Sequence, residues 1–179
     1  MNKKFIKNFE ELAINKNREI ILSIAETGLA SINTEEVILN SIKLEGDVLR
    51  IMGESFDLSK FKKIKVIGFG KASTDGALAL EKILGSRITQ GAVIGLNKIA
   101  SKYIEIFAGT HPRPSEINVV AGKKIYEIVK DSTEEDLIIV LVSGGGSALL
   151  CLKEEECEQG IKLYDSFLKS GKTITEINT

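Results

Sequence analysis

Six consecutive apolar residues at positions 137–142 (LIIVLV) constrain the fold of this chain more than any other segment. The run is far shorter than the roughly 20 residues that cross a bilayer. It lacks the alternation of apolar and polar residues that a half-exposed strand shows. An unbroken apolar run is typical of a strand covered on both faces of a parallel sheet. We therefore expect residues 137–142 to form a strand near the centre of such a sheet.

The rest of the chain alternates between strand and helix patterns. Strands are predicted at residues 64–69, 92–96 and 103–107, and helices at 17–32, 72–84, 115–130 and 154–170. Gly46 and Gly53 bracket the start of a short hairpin pattern over residues 47–58. This order predicts a single α/β domain over residues 1–179, with a doubly wound, mostly parallel (Rossmann-like) sheet, a helical N-terminus and a small hairpin at the sheet edge.

The composition argues against several classes of protein. With 24 basic and 25 acidic side chains the formal net charge is −1, which disfavours a chain built mainly to bind nucleic acid. The N-terminal residues contain no apolar segment typical of a signal peptide. One histidine and two cysteines, Cys151 and Cys157, give neither a disulfide framework nor a metal-binding spacing. We expect a cytoplasmic protein without a nucleic-acid or membrane partner, in which both cysteines are small core residues.

The first of three unusual loops follows the strand predicted at residues 64–69. Gly70 and Lys71 lie between this strand and a helix, where free backbone N–H groups and a lysine could bind phosphate or another anion. The spacing is not that of a P-loop, and Ser73 replaces the third glycine of a dinucleotide-binding fingerprint. A plain turn with a solvated lysine explains the same residues. Asp75, four residues after Lys71, is expected to pair with it along the helix.

The second loop comes directly after the apolar run. Three consecutive glycines are costly to order, and they are useful where the backbone directs several N–H groups at one anion. Two serines add hydroxyl donors. The residues expected to bind phosphate or a carboxylate are Ser143, Gly144, Gly145, Gly146 and Ser147. A flexible loop without a ligand is the alternative, but it is less expected straight after a central strand.

The third loop, residues 109–116 (GTHPRPSE), contains the only histidine and both prolines of the chain. The prolines restrict the backbone. His111 could donate a hydrogen bond to an oxyanion, and Arg113 could pair with a carboxylate or phosphate. The alternative is a rigid turn in which the histidine is structural, and for a catalytic role of His111 the sequence favours that alternative.

The three loops, in this order, resemble the N-terminal domain of the glycerate 2-kinase family, whose members are often labelled hydroxypyruvate reductase and whose C-terminal half is called the MOFRL domain. The matching segments cover nearly the whole chain and are residues 66–72, 91–93, 109–116, 136–142, 143–149 and 170–179. SGGGSALL and the terminal SGKTITEINT are together the most specific of these motifs.

This resemblance implies ATP-dependent phosphorylation of D-glycerate with Mg²⁺, and 2-phosphoglycerate is the expected product. Phosphoryl transfer depends on charge neutralisation and positioning. Lys71 would therefore act as the catalytic residue that neutralises phosphate charge, and residues 143–147 would hold phosphate or the substrate carboxylate. The family implies that a general base and part of the nucleotide site come from a second domain, so no base is assigned here.

The chain departs from the family pattern in three places. Residues 73–76 lack the methionine that usually follows GKA, Ser115 replaces the usual acid after the second proline, and family members are more than twice as long. We expect a truncated chain, one half of a split protein or a stand-alone domain, with little activity alone. Two other functions stay open. One is a sugar-phosphate isomerase-type domain, which needs a glutamate base near the second loop, and the other is an α/β domain that binds a ligand without catalysis.

Overall fold

The computed structural model describes residues 5–177, so Asn178 and Thr179 of the terminal motif lie outside the described residues. The strands are β1 (Ile42–Glu45), β2 (Val48–Ile51), β3 (Glu54–Asp57), β4 (Lys63–Phe69), β5 (Gln90–Gly95), β6 (Glu105–Ala108) and β7 (Asp136–Val142). The α-helices are α1 (Phe9–Leu12), α2 (Lys16–Ser31), α3 (Thr34–Ser41), α4 (Ser73–Leu84), α5 (Glu116–Val129), α6 (Gly146–Leu149), α7 (Glu154–Ser170) and α8 (Ile174–Ile177).

Four parallel strands form the main sheet, in the order β6-β5-β4-β7. Side chains alternate between the two faces of a strand, and those of β4 pack in the core on both faces of the sheet. Val66 packs in one apolar cluster with Leu80 of α4, whereas Ile67 packs in a second cluster with Ile125 of α5. Helices therefore cover both faces, which confirms the predicted doubly wound α/β fold.

The position of β7 differs from the prediction. β7 pairs with β4 alone, so within residues 5–177 it is an edge strand and not a central one. Leu141 packs on the α4 side of the sheet, but Val140 and Val142 on the other face are 48% and 68% exposed. α5 packs over β5, β4 and β6. Ile138 still packs against the cluster on this side, so the exposed part of this face is the C-terminal part of β7. An apolar run indicates that a strand avoids water, but it does not say which part of a protein covers it.

The predicted hairpin is present as β2 and β3, but it belongs to a separate antiparallel sheet in the order β1-β2-β3. Gly46 and Gly53 adopt positive φ angles of 58° and 95°, which suits glycine in the two tight turns. Leu49 is fully buried against the core on the α4 side. The sequence did not predict β1, because this strand follows α3 without an intervening glycine or proline.

The N-terminal helix predicted at residues 17–32 is confirmed as α2. The Asn15 side chain caps it by accepting a hydrogen bond from the Arg18 N–H, at 3.0 Å. None of its residues is buried, and its isoleucines at positions 20, 21 and 24 are exposed. Within residues 5–177, no helix combines the length and apolar character that a membrane crossing requires.

Candidate functional site

The three predicted loops meet beyond the carboxyl ends of the parallel strands, where ligands bind in sheets of this kind. The Lys71 N–H, after β4, donates to the Gly144 carbonyl, after β7, at 2.9 Å. A Cβ added to Gly145 would lie 2.8 Å from His111 Nε2 and 3.1 Å from Lys71 Cε. The Lys71 side chain, the His111 imidazole and the glycine loop therefore meet beside Gly145.

The first loop uses its backbone N–H groups inside the protein. Gly70 donates to the Ile94 carbonyl at 3.2 Å, and Ser73 donates to the Gly70 carbonyl at 3.1 Å. The Ala72 N–H donates to Ser143 Oγ at 3.0 Å. The expectation of free N–H groups in this loop is therefore wrong. Gly70 instead allows a close approach, because its φ is 123° and a Cβ there would overlap the Ser143 backbone and hydroxyl.

The second loop has the free N–H groups that the first loop lacks. Ser143 donates its N–H to the Phe69 carbonyl, but within residues 5–177 the N–H groups of Gly144, Gly145, Gly146 and Ser147 have no acceptor. Gly145 is left-handed, with φ 81° and ψ 9°. Successive free N–H groups around a left-handed residue form a concave anion-binding site. This loop is thus the part of the chain best suited to bind an oxyanion.

Lys71 provides the positive charge of the site. Its side chain is exposed, and in the described part of the chain its ammonium has no carboxylate partner. The predicted ion pair with Asp75 is absent, since α4 begins at Ser73 and Lys71 precedes it. The spacing rule for helix ion pairs therefore does not apply. An unpaired ammonium beside free N–H groups favours an anionic ligand.

His111 is half-buried beside Lys71. Burial, and then the positive charge of Lys71, lower the pKa of His111 below its ordinary value of 6.5. A lowered pKa makes the imidazole neutral at neutral pH, with one nitrogen that donates and one that accepts. His111 is thus suited to donate a hydrogen bond to an oxyanion rather than to add a second positive charge.

Arg113 has a different position from the one expected of an anion ligand. Its guanidinium pairs with Asp165 of α7 at 2.6 Å and lies 5.3 Å from the centre of the Tyr164 ring. Both members of the ion pair are about half exposed. Arg113 therefore joins the third loop to α7. Within residues 5–177, no contact supports the anion-binding role predicted for it.

Asn118 is a residue of the site that the sequence analysis missed. It is fully buried, and its Nδ2 donates to the Leu149 and Thr110 carbonyls at 2.9 and 3.2 Å. Its Oδ1 accepts from the N–H groups of Thr110 and Ser115 at 3.0 and 3.2 Å. Asn118 thereby ties the third loop to the segment after the glycine loop. The signal in the sequence was its position three residues after Ser115, the spacing of a capping box.

A family model described as "Domain of unknown function (DUF4147)" matches residues 20–179. The chain belongs to the DUF4147 family. Curated relatives include glycerate 2-kinase of Pyrococcus horikoshii, 34% identical over 90% of this chain and 37% of the relative. They also include D-glycerate 2-kinase of Thermotoga maritima, 33% identical over 73% of this chain and 32% of the relative. These relatives confirm the resemblance stated from the motifs.

Solved structures agree with this assignment to the DUF4147 family. A crystal structure of a Pyrococcus horikoshii protein superposes with a TM-score of 0.71 at 32% identity, over 92% of this chain and 38% of that one. Glycerate kinase from Thermotoga maritima gives a TM-score of 0.57 at 32% identity, over 67% of this chain and 30% of that one. The chain thus spans less than half the length of the relatives it matches.

Two further features of this DUF4147 chain bear on its chemistry. Cys151 and Cys157 are buried with Val119, and burial is the main cause that raises the pKa of Cys151 to about 12. Its thiol is therefore protonated and unreactive, as expected of a core residue. Within residues 5–177, no group of three or more His, Cys, Asp and Glu side chains could hold a metal ion.

Proposed function

We propose that this chain takes part in the ATP-dependent phosphorylation of D-glycerate in the cytoplasm, with 2-phosphoglycerate as the product. The observation that carries the proposal is the convergence of the Lys71 ammonium, the His111 imidazole and the free N–H groups of residues 144–147 beside Gly145. The relatives named glycerate 2-kinase support the choice of substrate.

The groups beside Gly145 match the needs of phosphoryl transfer, which depends on positioning and charge neutralisation. Lys71 neutralises charge on the transferred phosphoryl group, and residues 144–147 hold a phosphate or the glycerate carboxylate through their N–H groups. Neutral His111 donates a hydrogen bond to the same anion. Since the described residues lack a cluster of metal ligands, Mg²⁺ would be held mainly by the nucleotide phosphates, where it supplies further charge neutralisation.

The proposed reaction also needs a general base, and none is assigned among residues 5–177. Ligand sites are usually clefts that enclose most of the ligand, and here the site beside Gly145 lies on an open edge of the sheet. The match to this chain covers 37% of the length of the Pyrococcus horikoshii relative. We propose that the general base and the opposite wall of the cleft lie in a further domain, and that residues 1–179 alone have little turnover.

The test compares Lys71→Ala with Arg113→Ala in two experiments. In the first, calorimetry measures binding of 2-phosphoglycerate to the purified 179-residue chain. In the second, residues 1–179 replace the matching segment of the Pyrococcus horikoshii relative, and a coupled assay measures turnover of D-glycerate. We expect Lys71→Ala to weaken binding and to lower kcat by about 10²–10³, the range for losing one preorganised electrostatic group. Arg113→Ala, a matched loss of one positive charge, should change both by less than about threefold.

Three outcomes separate the candidate functions. A kcat within about threefold of wild type in Lys71→Ala contradicts the proposed role of Lys71. If His111→Ala abolishes turnover instead, the third loop carries the chemistry. Lys71-dependent binding of 2-phosphoglycerate without turnover in a folded chimera supports a domain that binds a ligand without catalysis.

A further inference from the structure

The Ser143 hydroxyl lies between the first loop and the glycine loop, and it faces the first loop. Its Oγ accepts a hydrogen bond from the Ala72 N–H at 3.0 Å and lies 3.4 Å from the Oγ of Ser73. Ser73 is 1% exposed, and a Cβ added to Gly70 would overlap the Ser143 hydroxyl. The single proton of a serine hydroxyl is thus next to a buried oxygen. Ser143 Oγ is therefore directed toward the start of α4, whereas the proposed anion lies beside Gly145.

This hydroxyl supplies a cap that α4 lacks in its own sequence. Ala72 is the N-cap residue of α4, and no side-chain hydrogen bond is made at that position. Serine, threonine, aspartate and asparagine are the usual N-cap residues, and in a capping box the N-cap N–H is bound by a side chain three residues later. Here Ser143, which lies 71 residues later, accepts that N–H. The first turn of α4 therefore depends on the glycine loop for this bond.

The same contact restrains the backbone from which the Lys71 side chain starts. The Lys71 N–H donates to the Gly144 carbonyl at 2.9 Å, and the next N–H, of Ala72, donates to Ser143 Oγ. Lysine has a flexible four-carbon stem, and no carboxylate in the described part of the chain holds the Lys71 ammonium. The position of this ammonium relative to the glycine loop therefore depends on the two backbone bonds.

We propose that Ser143 is a positioning residue, whose hydroxyl holds Lys71 against the glycine loop and does not itself bind the anion. This role differs from the phosphate-binding role that the sequence predicted for Ser143. Its value for catalysis rests on the proposed function, because Lys71 is the group that acts on phosphate there. Removing the hydroxyl leaves the charge of Lys71 intact but releases a bond that places it. The effect of Ser143 on the site therefore depends on the presence of Lys71.

A double-mutant cycle between Ser143 and Lys71 on the 179-residue chain tests the proposal. The Lys71 ammonium lowers the pKa of His111, so an NMR titration of the histidine ring protons measures how close the two side chains are. Lys71→Ala should raise this pKa in the wild-type background. In Ser143→Ala the same substitution should raise it by at most about half as much, because the effects of coupled residues are not additive.

Two further variants serve as controls in the same titration. Ser147→Ala removes an exposed hydroxyl of the glycine loop that has no hydrogen-bond partner within residues 5–177. It should leave the rise caused by Lys71→Ala unchanged. Ser143→Thr keeps the hydroxyl and should preserve the full rise. If Ser143→Ala does not fold, Ser143→Cys takes its place, because a thiol is a weaker hydrogen-bond acceptor.

Calorimetry with 2-phosphoglycerate gives a second readout in these variants. Ser143→Ala should weaken binding by about threefold to tenfold, the effect of one hydrogen bond. When Lys71→Ala is already present, the further loss should be less than about twofold. A direct ligand of the anion would instead give losses that add.

The two readouts separate failure of the inference from failure of the proposed function. An equal change of the His111 pKa with and without the Ser143 hydroxyl, including no change in either chain, would overturn the positioning role. Additive losses of affinity would overturn it as well. If the titration gives the expected result but the wild-type chain does not bind 2-phosphoglycerate, the positioning role of Ser143 stands and the proposed function fails.

Discussion

Gly145 is the residue on which the geometry of the candidate site depends. Its left-handed backbone, with φ 81° and ψ 9°, turns the glycine loop, and its missing side chain leaves space beside His111 and Lys71. Gly144 differs in both respects, since its φ is not positive and nothing lies within 4 Å of a Cβ built on it. The two neighbouring glycines therefore form a matched pair for mutagenesis.

Gly145→Ala should abolish anion binding, whereas Gly144→Ala should nearly preserve it. At Gly145 a methyl group occupies the ligand position and adds the strain of a left-handed alanine, about 1 kcal/mol. Calorimetry with 2-phosphoglycerate should show a loss of more than tenfold in affinity for Gly145→Ala and less than threefold for Gly144→Ala. Equal effects of the two substitutions would place the anion elsewhere.

His111 reports on the charge of the site, because it is the one histidine of the chain. Burial and the Lys71 ammonium both lower its pKa. Lys71→Ala should therefore raise the pKa of His111, although the effect of burial remains. A bound anion should also raise it, since negative charge stabilises the imidazolium.

An NMR titration of the histidine ring protons measures both shifts directly. Lys124→Ala is the control, because Lys124 pairs with Glu105 and is not among the causes that lower the pKa of His111. A His111 pKa that does not change in Lys71→Ala would show that the two side chains are not close in solution.

At the scale of elements, α5 positions the third loop and the glycine loop relative to each other. Asn118 in its first turn makes hydrogen bonds to Thr110, Ser115 and Leu149. Truncating a buried, fully bonded amide leaves several polar groups without partners, each at a cost of about 1–3 kcal/mol. Helix α5 is thus part of the candidate site, because its Asn118 connects the two loops.

Asn118→Ala should lower the free energy of unfolding by about 3 kcal/mol and weaken 2-phosphoglycerate binding as well, because the two loops lose their link. Urea denaturation and calorimetry measure the two effects. Asn97→Ala is the control, since Asn97 is an exposed loop residue, and it should change stability by less than about 0.5 kcal/mol. A destabilised Asn118→Ala chain that still binds the anion normally would limit this residue to a structural role.

At the scale of the molecule, the described chain leaves two apolar surfaces uncovered. One is the open face and edge of β7, and the other is the isoleucine-rich face of α2. Edge strands with free backbone groups and exposed apolar side chains promote association between chains. The relatives are more than twice as long as the matched segment.

The 179-residue chain should therefore self-associate as its concentration rises, and Val140→Lys should reduce that association by placing a charge on the open face of β7. Sedimentation velocity over a range of concentrations measures the effect. Val120→Lys on α5 is a matched control, because Val120 is 46% exposed compared with 48% for Val140. If both variants reduce association equally, net charge and not the open strand is responsible.

Local sequence patterns predicted the main elements and their order. Helix α7 was predicted at residues 154–170 and is observed there, and the other predicted helices and the strands of the main sheet differ by a few residues at their ends. It also located the three loops that meet at the site. These features are local, because hydrophobic periodicity, caps and glycine turns depend on residues a few positions apart.

Tertiary structure alone decided which of these groups are free and which are already bonded. The N–H groups around Gly70 are used by partners that include Ser143, about 70 residues later, and Arg113 is paired with Asp165 of α7. The central position expected for residues 137–142 was wrong for the same reason. The pairing of charged groups and strands and the covering of apolar faces depend on contacts between distant segments. An apolar run or a basic residue looks the same in the sequence whatever partner it contacts.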